Sequence, residues 1–504
     1  MENRLSVLAE ILSSGDTDQI ALKVPDGPSI TYDHLRRQVD RLAQQLRRFG
    51  ISSDHRVAMV LPNSVEGLIA FLAVSNVATA APLNPGYKEE EIRFYLEDTD
   101  ARAIIIPTQG SDAAERAADS TILRIGIDID REGEVSLAAN SLGESSNKGK
   151  VTSESVAMVL HTSGTTSRPK RVPLTHHNLL TSIKNIVETY NLNDEDVSLC
   201  VMPLFHVHGL LASTLSTLAS GGTIVLPPRF NALGFWQMIN ENSVTWFSGV
   251  PSMHQTLLAR AQRTQGDPLS SSHQLRFVRS CSSPLSPATM LGIEETFGIP
   301  VLEAYGMTEA SHQMSSNPLP PGMRIPGTVG AGTGVDIGIM DDQGAFRDQG
   351  SRGEVVIRGD NVIAAYEGNA EANETSFTNG WFRTGDEGQL DESNYLTLTG
   401  RIKELINRSG EKISPREIDE VLMTHPAVAE AVAFAVPHST HGEEPGVAVV
   451  LHQEVDEKQL AAHCREHLAD FKCPRKIYIV DQLPKTATGK IQRRIVAASI
   501  LGEK

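Results

Sequence analysis

Hydrophobic and polar positions repeat along this chain with two different periods, and the changes of period mark out its architecture. From Tyr32 to Phe49, residues Leu35, Val39, Leu42 and Leu46 share one side of a 3.6-residue period. Arg36, Arg37, Asp40, Arg47 and Arg48 take the other side, which predicts an amphipathic helix. Short apolar runs follow at 57–61, 81–85 and 103–107, separated by helical patterns over 66–80 and 89–98. Such runs between helices predict a largely parallel sheet in a layered α/β unit. The alternation resumes after Ser198, with strands at 199–203, 223–226, 244–248, 276–280 and 301–304 and helices at 251–262 and 288–297. Residues 113–150 are polar and weakly patterned and read as a surface excursion. From Gly327 to Tyr395, short alternating runs with frequent glycine predict a small β-subdomain. Past Gly400 the pattern gives a helix at 415–423, strands at 428–436 and 446–452, a helix at 456–469 and a strand at 477–480. The expected fold class is therefore α/β: two layered α/β sheets and a β-subdomain over residues 1–400, then a small α+β domain over 401–504.

Composition narrows the function. A net charge of −17 argues against sequence-independent binding to nucleic acid or an anionic membrane, which needs a positive face. An acidic protein that takes an anionic ligand must gather its positive charge locally. The four cysteines, Cys200, Cys281, Cys464 and Cys473, have neither metal-binding spacing nor the density of a disulfide scaffold, and read as reduced, buried thiols. Met1–Arg4 does not open a signal segment, no apolar run approaches a membrane span, and Leu501–Lys504 is not a Ser-Lys-Leu signal. A cytoplasmic location is expected, and the oligomeric state is left open.

One stretch organises the chemistry. The apolar strand 156–160 runs into His161-Thr162-Ser163-Gly164-Thr165-Thr166-Ser167-Arg168-Pro169-Lys170, and Thr175 or Asn178 offers a cap for a helix starting near Leu179. A loop of small, hydroxyl-bearing residues presents many N–H and O–H donors with little bulk, and Lys170 and Arg168 add charge. That combination suits a polyphosphate. It is not a Walker A loop, because no Gly-Lys-Ser/Thr ends it. Three predicted strand ends also carry polar clusters: Leu204–Gly209, Ser280–Pro284 and Tyr305–Glu309. Ligands in open α/β sheets bind beyond the carboxyl ends of strands, so these clusters are expected to face one cleft.

Thr162–Lys170 resembles the phosphate loop of the adenylate-forming acyl-CoA synthetases, a family that includes luciferases and peptide-synthetase adenylation domains. The resemblance extends over nearly the whole chain. It departs at Ser167 and Arg171, where glycine is usual, and Arg171 adds bulk and charge where the loop needs freedom. The resemblance implies ATP, Mg²⁺ and coenzyme A as cosubstrates and cofactor. It implies nucleotide contacts from Thr162, Ser163, Gly164, Thr165, Thr166 and Lys170, from Ser282, Ser283 and Pro284 along adenine, and from Glu303, Ala304, Tyr305 and Gly306. Thr308 would meet the α-phosphate, Glu309 would hold Mg²⁺, and Asp386 and Arg401 would hold the ribose. Lys490 matches the catalytic lysine of a mobile C-terminal domain, and Lys403 the hinge about which that domain turns. Arg408, Gly410, Lys472 and Arg475 are expected on the coenzyme A side; a solvated basic face accounts equally well for the last two, and a solvated basic tail is the plain alternative for Lys490.

The acyl pocket distinguishes this chain. His206, His208, Ser280, Ser282, Met307 and His312 stand where fatty-acyl and aryl members have larger or apolar linings, which favours a small polar anion. His206 has a second role open to it as a gate, and His208 and His312 a second reading as satisfied core histidines. The segments 280–285 and 309–320 resemble those of oxalate–CoA ligases, so oxalate is the expected acid. The alternatives are a ligase for another acid, such as malonate or a fatty acid, or an adenylate-binding regulator without turnover. The latter has no need of Glu309 and Lys490.

Overall fold

The computed structural model describes residues 5–110, 112–139, 149–162, 169–263, 273–486 and 490–502. Ser163, Gly164, Thr165 and Thr166 of the expected phosphate loop lie outside the described residues.

Two sheets dominate. In the first, nine strands run in the order Ala331–Gly332, His312–Ser316, Val301–Met307, Phe277–Ser280, Trp246–Gly249, Val197–Cys200, Thr223–Val225, Ile20–Lys23 and Ser29–Thr31. Strand Val301–Met307 and the five that follow it are parallel, and antiparallel strands close both edges. The second has seven: Val135–Ala139, Leu123–Ile129, Ala103–Pro107, Arg56–Val60, Thr79–Leu83, Val156–Thr162 and Lys170–Thr175. Its central strands show why apolar runs become parallel strands. Val57 and Met59 of Arg56–Val60 enter the large core shared with the other sheet. Ala58 and Val60 point the opposite way, under the helices Glu89–Asp98 and Asp112–Ala117. With both faces covered, every position must be apolar.

The helix Val65–Ser75 between the layers is buried almost all round, as its composition requires. Helix Tyr32–Arg48 is amphipathic as expected and capped by Thr31. Thr175 caps helix His176–Tyr190, which starts three residues earlier than the pattern suggested. The β-subdomain is an antiparallel sheet of Asp336–Met340, Gly353–Arg358, Phe377–Thr378, Trp381–Leu390 and Leu396–Arg401. After Arg401 the next strand, Ile406–Arg408, joins a different sheet with Glu411–Ile413, Val428–His438, Gly442–Leu451 and Lys476–Ile479. That sheet has its own core around Ile406, Ile418, Leu422, Val447 and Leu460.

Two expectations need correction. Residues 113–150 are not a plain excursion: Leu123–Ile129 and Val135–Ala139 pair with each other and extend the seven-stranded sheet. Each of these strands, one at the sheet edge and one next to it, buries alternate positions: Ile125 and Ile127 alternate with Arg124, Gly126 and Asp128, and Val135 and Leu137 with Ser136 and Ala138, leaving no continuous apolar run to read. The turn expected through His208 is instead the start of a buried π-helical segment, His208–Leu215. The four cysteines are buried free thiols.

Candidate active site

Two of the three expected strand ends, Ser280–Pro284 and Tyr305–Glu309, meet at one cavity; no residue of Leu204–Gly209 lines it, and His208 reaches it only through Ser282. A cavity of about 300 Å³ opens beyond the carboxyl ends of Phe277–Ser280 and Val301–Met307. Ser282, Ser283, Pro284, Glu303, Ala304, Tyr305, Gly306, Asp386, Arg401 and Lys490 all line it. Helix Pro415–Met423 closes the far side with Pro415, Arg416 and Asp419. Gly306 is required where it stands: a Cβ there would lie 1.9 Å from the carbonyl oxygen of His312.

At one end, Asp386 is clamped from two sides. Tyr305 donates its hydroxyl hydrogen to Oδ2, and Arg401 Nε lies 2.9 Å from Oδ1. Burial, then the neighbouring Asp386 charge, holds the Tyr305 phenol well above its usual pKa. Glu303 is 1% exposed; its Oε1 accepts from the Leu285 N–H at 2.9 Å, while Oε2 is buried without a hydrogen-bond partner among the described residues. Burial pushes its pKa up to about 7, against a smaller opposing pull from Arg416.

Near the phosphate-loop strands, Thr162 and Tyr366 both donate to Glu309 Oε1, at 3.2 and 2.8 Å. Lys170 Nζ sits 4.3 Å above the Tyr366 ring. Burial lowers the Lys170 pKa, the nearby Glu309 opposes this, and Lys403 lowers it further, so the expected hinge lysine lies close to the phosphate-loop lysine. An oxygen-only donor set of carboxylate and hydroxyl fits Mg²⁺. Arg171 is engaged by Asp98, on the helix Glu89–Asp98. Its guanidinium turns back to donate to the Asp98 carbonyl and lies beside the Asp98 carboxylate, which also meets His161 at 3.0 Å.

Lys490 retains exposed surface yet stands in a cleft dense with protein; its pKa is lowered by burial and then by Arg401, against Asp386 and Glu404. It is close enough to His206 to add to the burial that brings that imidazole down to about 4. Thr308 opens a short 3₁₀ turn behind the site, and Met307 ends the strand before it. Arg408, Gly410, Lys472 and Arg475 do not line the cavity. Arg408 lies 3.5 Å from Glu444, Lys472 2.7 Å from Glu417, and Arg475 3.0 Å from Asp470.

The acyl end holds a residue that the sequence reading passed over. Arg279, 0% exposed in the central strand Phe277–Ser280, spreads its guanidinium among neutral acceptors. Nε donates to Tyr190 Oη at 2.8 Å and Nη1 to Ser248 Oγ at 3.0 Å. Nη2 donates to His312 Nε2 and to Gln313 Oε1, each at 3.0 Å. His208 stacks on His312 with ring centroids 5.1 Å apart, and its Nδ1 lies 2.9 Å from Ser282 Oγ. Both imidazoles are held well below their usual pKa, by burial first and Arg279 second. Ser282 and His312 have φ of +74° and +98°, a strained region for such residues that recurs at functional sites. Ser280 Oγ is buried without a hydrogen-bond partner among the described residues. An arginine inside a buried parallel strand was the available signal for Arg279. Nothing in the sequence marked Tyr366 or Arg416.

Layered sheets, a cavity at the parallel strand ends and a small domain closing over it define an adenylate-forming enzyme. The family model for the AMP-binding enzyme matches residues 13–367, and that for the AMP-binding enzyme C-terminal domain matches 417–490; the chain belongs to this family. Its sequence is 45% identical to an oxalate–CoA ligase of Arabidopsis thaliana over 99% of this chain and 98% of that one. It is 43% identical to an oxalate–CoA ligase of Saccharomyces cerevisiae, over 95% and 94%. Among solved structures, ATP-bound MatB from Rhodopseudomonas palustris aligns with a TM-score of 0.86 at 29% identity, covering 98% of each chain. The apo form of MatB, with the same identity and coverage, aligns at 0.76. Among the described residues no helix is long and apolar enough to cross a membrane.

Proposed function

We propose that the chain is an AMP-forming acid–CoA ligase whose acid is oxalate. One oxalate carboxylate attacks the α-phosphorus of ATP; a new P–O bond forms, the α–β bond breaks and pyrophosphate leaves. The coenzyme A thiol then adds to the acyl carbonyl of the adenylate, loses its proton, and expels AMP.

Residues 1–400 bind ATP and acid, and 401–504 supply Lys490 and the coenzyme A surface. Tyr305, Ala304, Gly306 and Ser282–Pro284 hold adenine, and Asp386 and Arg401 the ribose. The phosphate loop and Lys170 hold the phosphates beside Thr308. Glu309 with Thr162 would hold Mg²⁺, which offsets crowded phosphate charge when bound. The Lys490 ammonium stabilises charge on the transferring phosphate. Its position against the cavity suits the adenylation step, and the higher TM-score to ATP-bound than to apo MatB supports the same reading. Thioester formation then requires the small domain to turn about Lys403 and bring Gly410, with Arg408, Lys472 and Arg475, toward coenzyme A.

One observation supports oxalate most strongly. A wholly buried guanidinium has no carboxylate partner among the described residues; it donates to His312, and His208, stacked on His312, meets Ser282 on the cavity wall. Burying a second carboxylate without partners is costly, and this site offers it both charge and donors. The imidazoles are neutral here, so they serve as N–H donors and not as cations. A direct competition among oxalate, malonate, acetate, octanoate and coumarate, followed by pyrophosphate release, tests this. Oxalate should give the highest kcat/KM; a preference for any other acid refutes the assignment.

A further inference from the structure

Among the described residues Arg279 is a cation without a carboxylate partner, and its hydrogen bonds all run outward. Guanidinium can only donate. His312 Nε2, facing it at 3.0 Å, must therefore be the acceptor, and the ring hydrogen must sit on Nδ1. Arg279 Nη1 faces both Ser248 Oγ, at 3.0 Å, and His208 Nε2, at 3.5 Å; facing a group that can only donate, His208 Nε2 is an acceptor, and the Ser248 hydroxyl hydrogen goes to it over 2.6 Å. That places the His208 hydrogen on Nδ1 as well, where it goes to Ser282 Oγ at 2.9 Å. With that lone pair used, the Ser282 hydroxyl hydrogen is free to point into the cavity that Ser282 lines.

We infer that Arg279 is a positioning residue for acid specificity: through Ser248 and His208 on one path and His312 on the other, it fixes both imidazoles as Nδ1–H tautomers. It thereby turns the Ser282 O–H on the cavity wall into a donor for the second carboxylate of a small dianionic acid, with the His312 ring held neutral behind the stacked His208. Arg279 itself need not touch the acid. Its charge acts through the polarised relay of Ser248 and His208, which strengthens that donor in a buried setting. The inference rests on the acid–CoA ligase reading, but the tautomers it requires exist before any substrate binds.

Two measurements test it. Neutron diffraction from deuterated crystals of the full chain should place deuterium on Nδ1 of both His208 and His312. Deuterium on Nε2 of His312 overturns the inference whatever the acid proves to be. Conversely, another preferred acid in the competition assay would refute oxalate and leave the tautomers unchanged. In oxalate-dependent pyrophosphate exchange, Arg279→Gln should raise the oxalate KM by roughly tenfold to 150-fold, the range for a hydrogen bond to a charged group. The KM for ATP should hold.

The pH profile adds a readout that mere loosening would not give. The ionisable groups around Arg279, His208 and His312 are Tyr190, His206, His254 and Cys281, with Lys490 across the cavity from His206. In the native enzyme the kcat/KM profile for oxalate from pH 6 to 8 should carry no ionisation beyond that of Glu303, which lines the same cavity and is removed by Glu303→Gln, and removing the Arg279 cation should add an imidazole ionisation in that window. Arg279→Gln that folds, keeps the native oxalate KM and adds no ionisation to the native profile overturns the proposal. Should this variant fail to fold, Ser248→Ala decides: it leaves the guanidinium in place, cuts the His208 relay, and should raise the oxalate KM alone. An unchanged KM in Ser248→Ala overturns the relay.

Discussion

Glu303 couples folding stability to pH in a calculable way. Its carboxyl is 1% exposed, one oxygen has no partner, and its folded-state pKa stands at about 7 against 4.5 for an unperturbed glutamate. A raised pKa means that the native state holds the proton more tightly than the unfolded chain. The associated stability is complete below the unfolded pKa and is lost as pH rises to the folded one. Between pH 5 and pH 8 the loss comes to about 2.5 kcal/mol. Glu303→Gln keeps an acceptor for the Leu285 N–H and cannot ionise, so it should match the native protein near pH 5 and exceed it at pH 8. For a folding unit of about 400 residues, with an unfolding entropy near 2.1 cal/mol/K per residue, the difference amounts to about 3 °C in Tm. Scanning fluorimetry of both proteins across this range, without nucleotide, gives the answer. Parallel Tm curves would mean that Glu303 is ionised and satisfied in the native state, and the burial argument would fall.

The two half-reactions separate the roles proposed for the small domain. Lys490→Ala should slow pyrophosphate release by about 10²-fold or more, the cost of losing a preorganised charge donor. Thioester formation from presupplied acyl-adenylate should be largely spared; equal loss in both would make Lys490 structural. Lys403→Pro fixes φ at the proposed hinge, so adenylation should persist while coenzyme A transfer fails, and normal overall turnover would exclude rotation there.

Legibility followed burial. Strands Arg56–Val60 and Ala103–Pro107 were plain because both faces meet apolar layers, and helices Glu89–Asp98 and Pro415–Met423 because one face does. Leu123–Ile129 and Val135–Ala139 were missed because these strands, next to and at the sheet edge, bury only alternate positions and carry no continuous apolar run. Helix Arg493–Leu501 was hidden behind a basic start, since Arg493 reads as solvated until its partners are seen: Asp419 at 2.9 Å and Glu404 at 3.3 Å, both distant in sequence. Motif residues such as Tyr305, Asp386 and Lys490 could be listed from the sequence, but the grouping around Arg279 could not. It joins Arg279 to Tyr190, Ser248 and the adjacent His312 and Gln313, from three other segments, and no local pattern encodes a contact of that kind.

The buried cysteines bear on how this chemistry is measured. Cys200 and Cys464 are pushed up to about 12 by burial, and burial raises Cys473 as well, so these sulfurs hold their protons at neutral pH. Cys281, beside the acyl pocket, has no exposed surface. Only thiolates within reach of solvent exchange with disulfides or reduce a chromogenic probe. A thiol-selective dye added to the native protein during turnover therefore counts coenzyme A alone, and the fall in colour is a direct tally of thioester made.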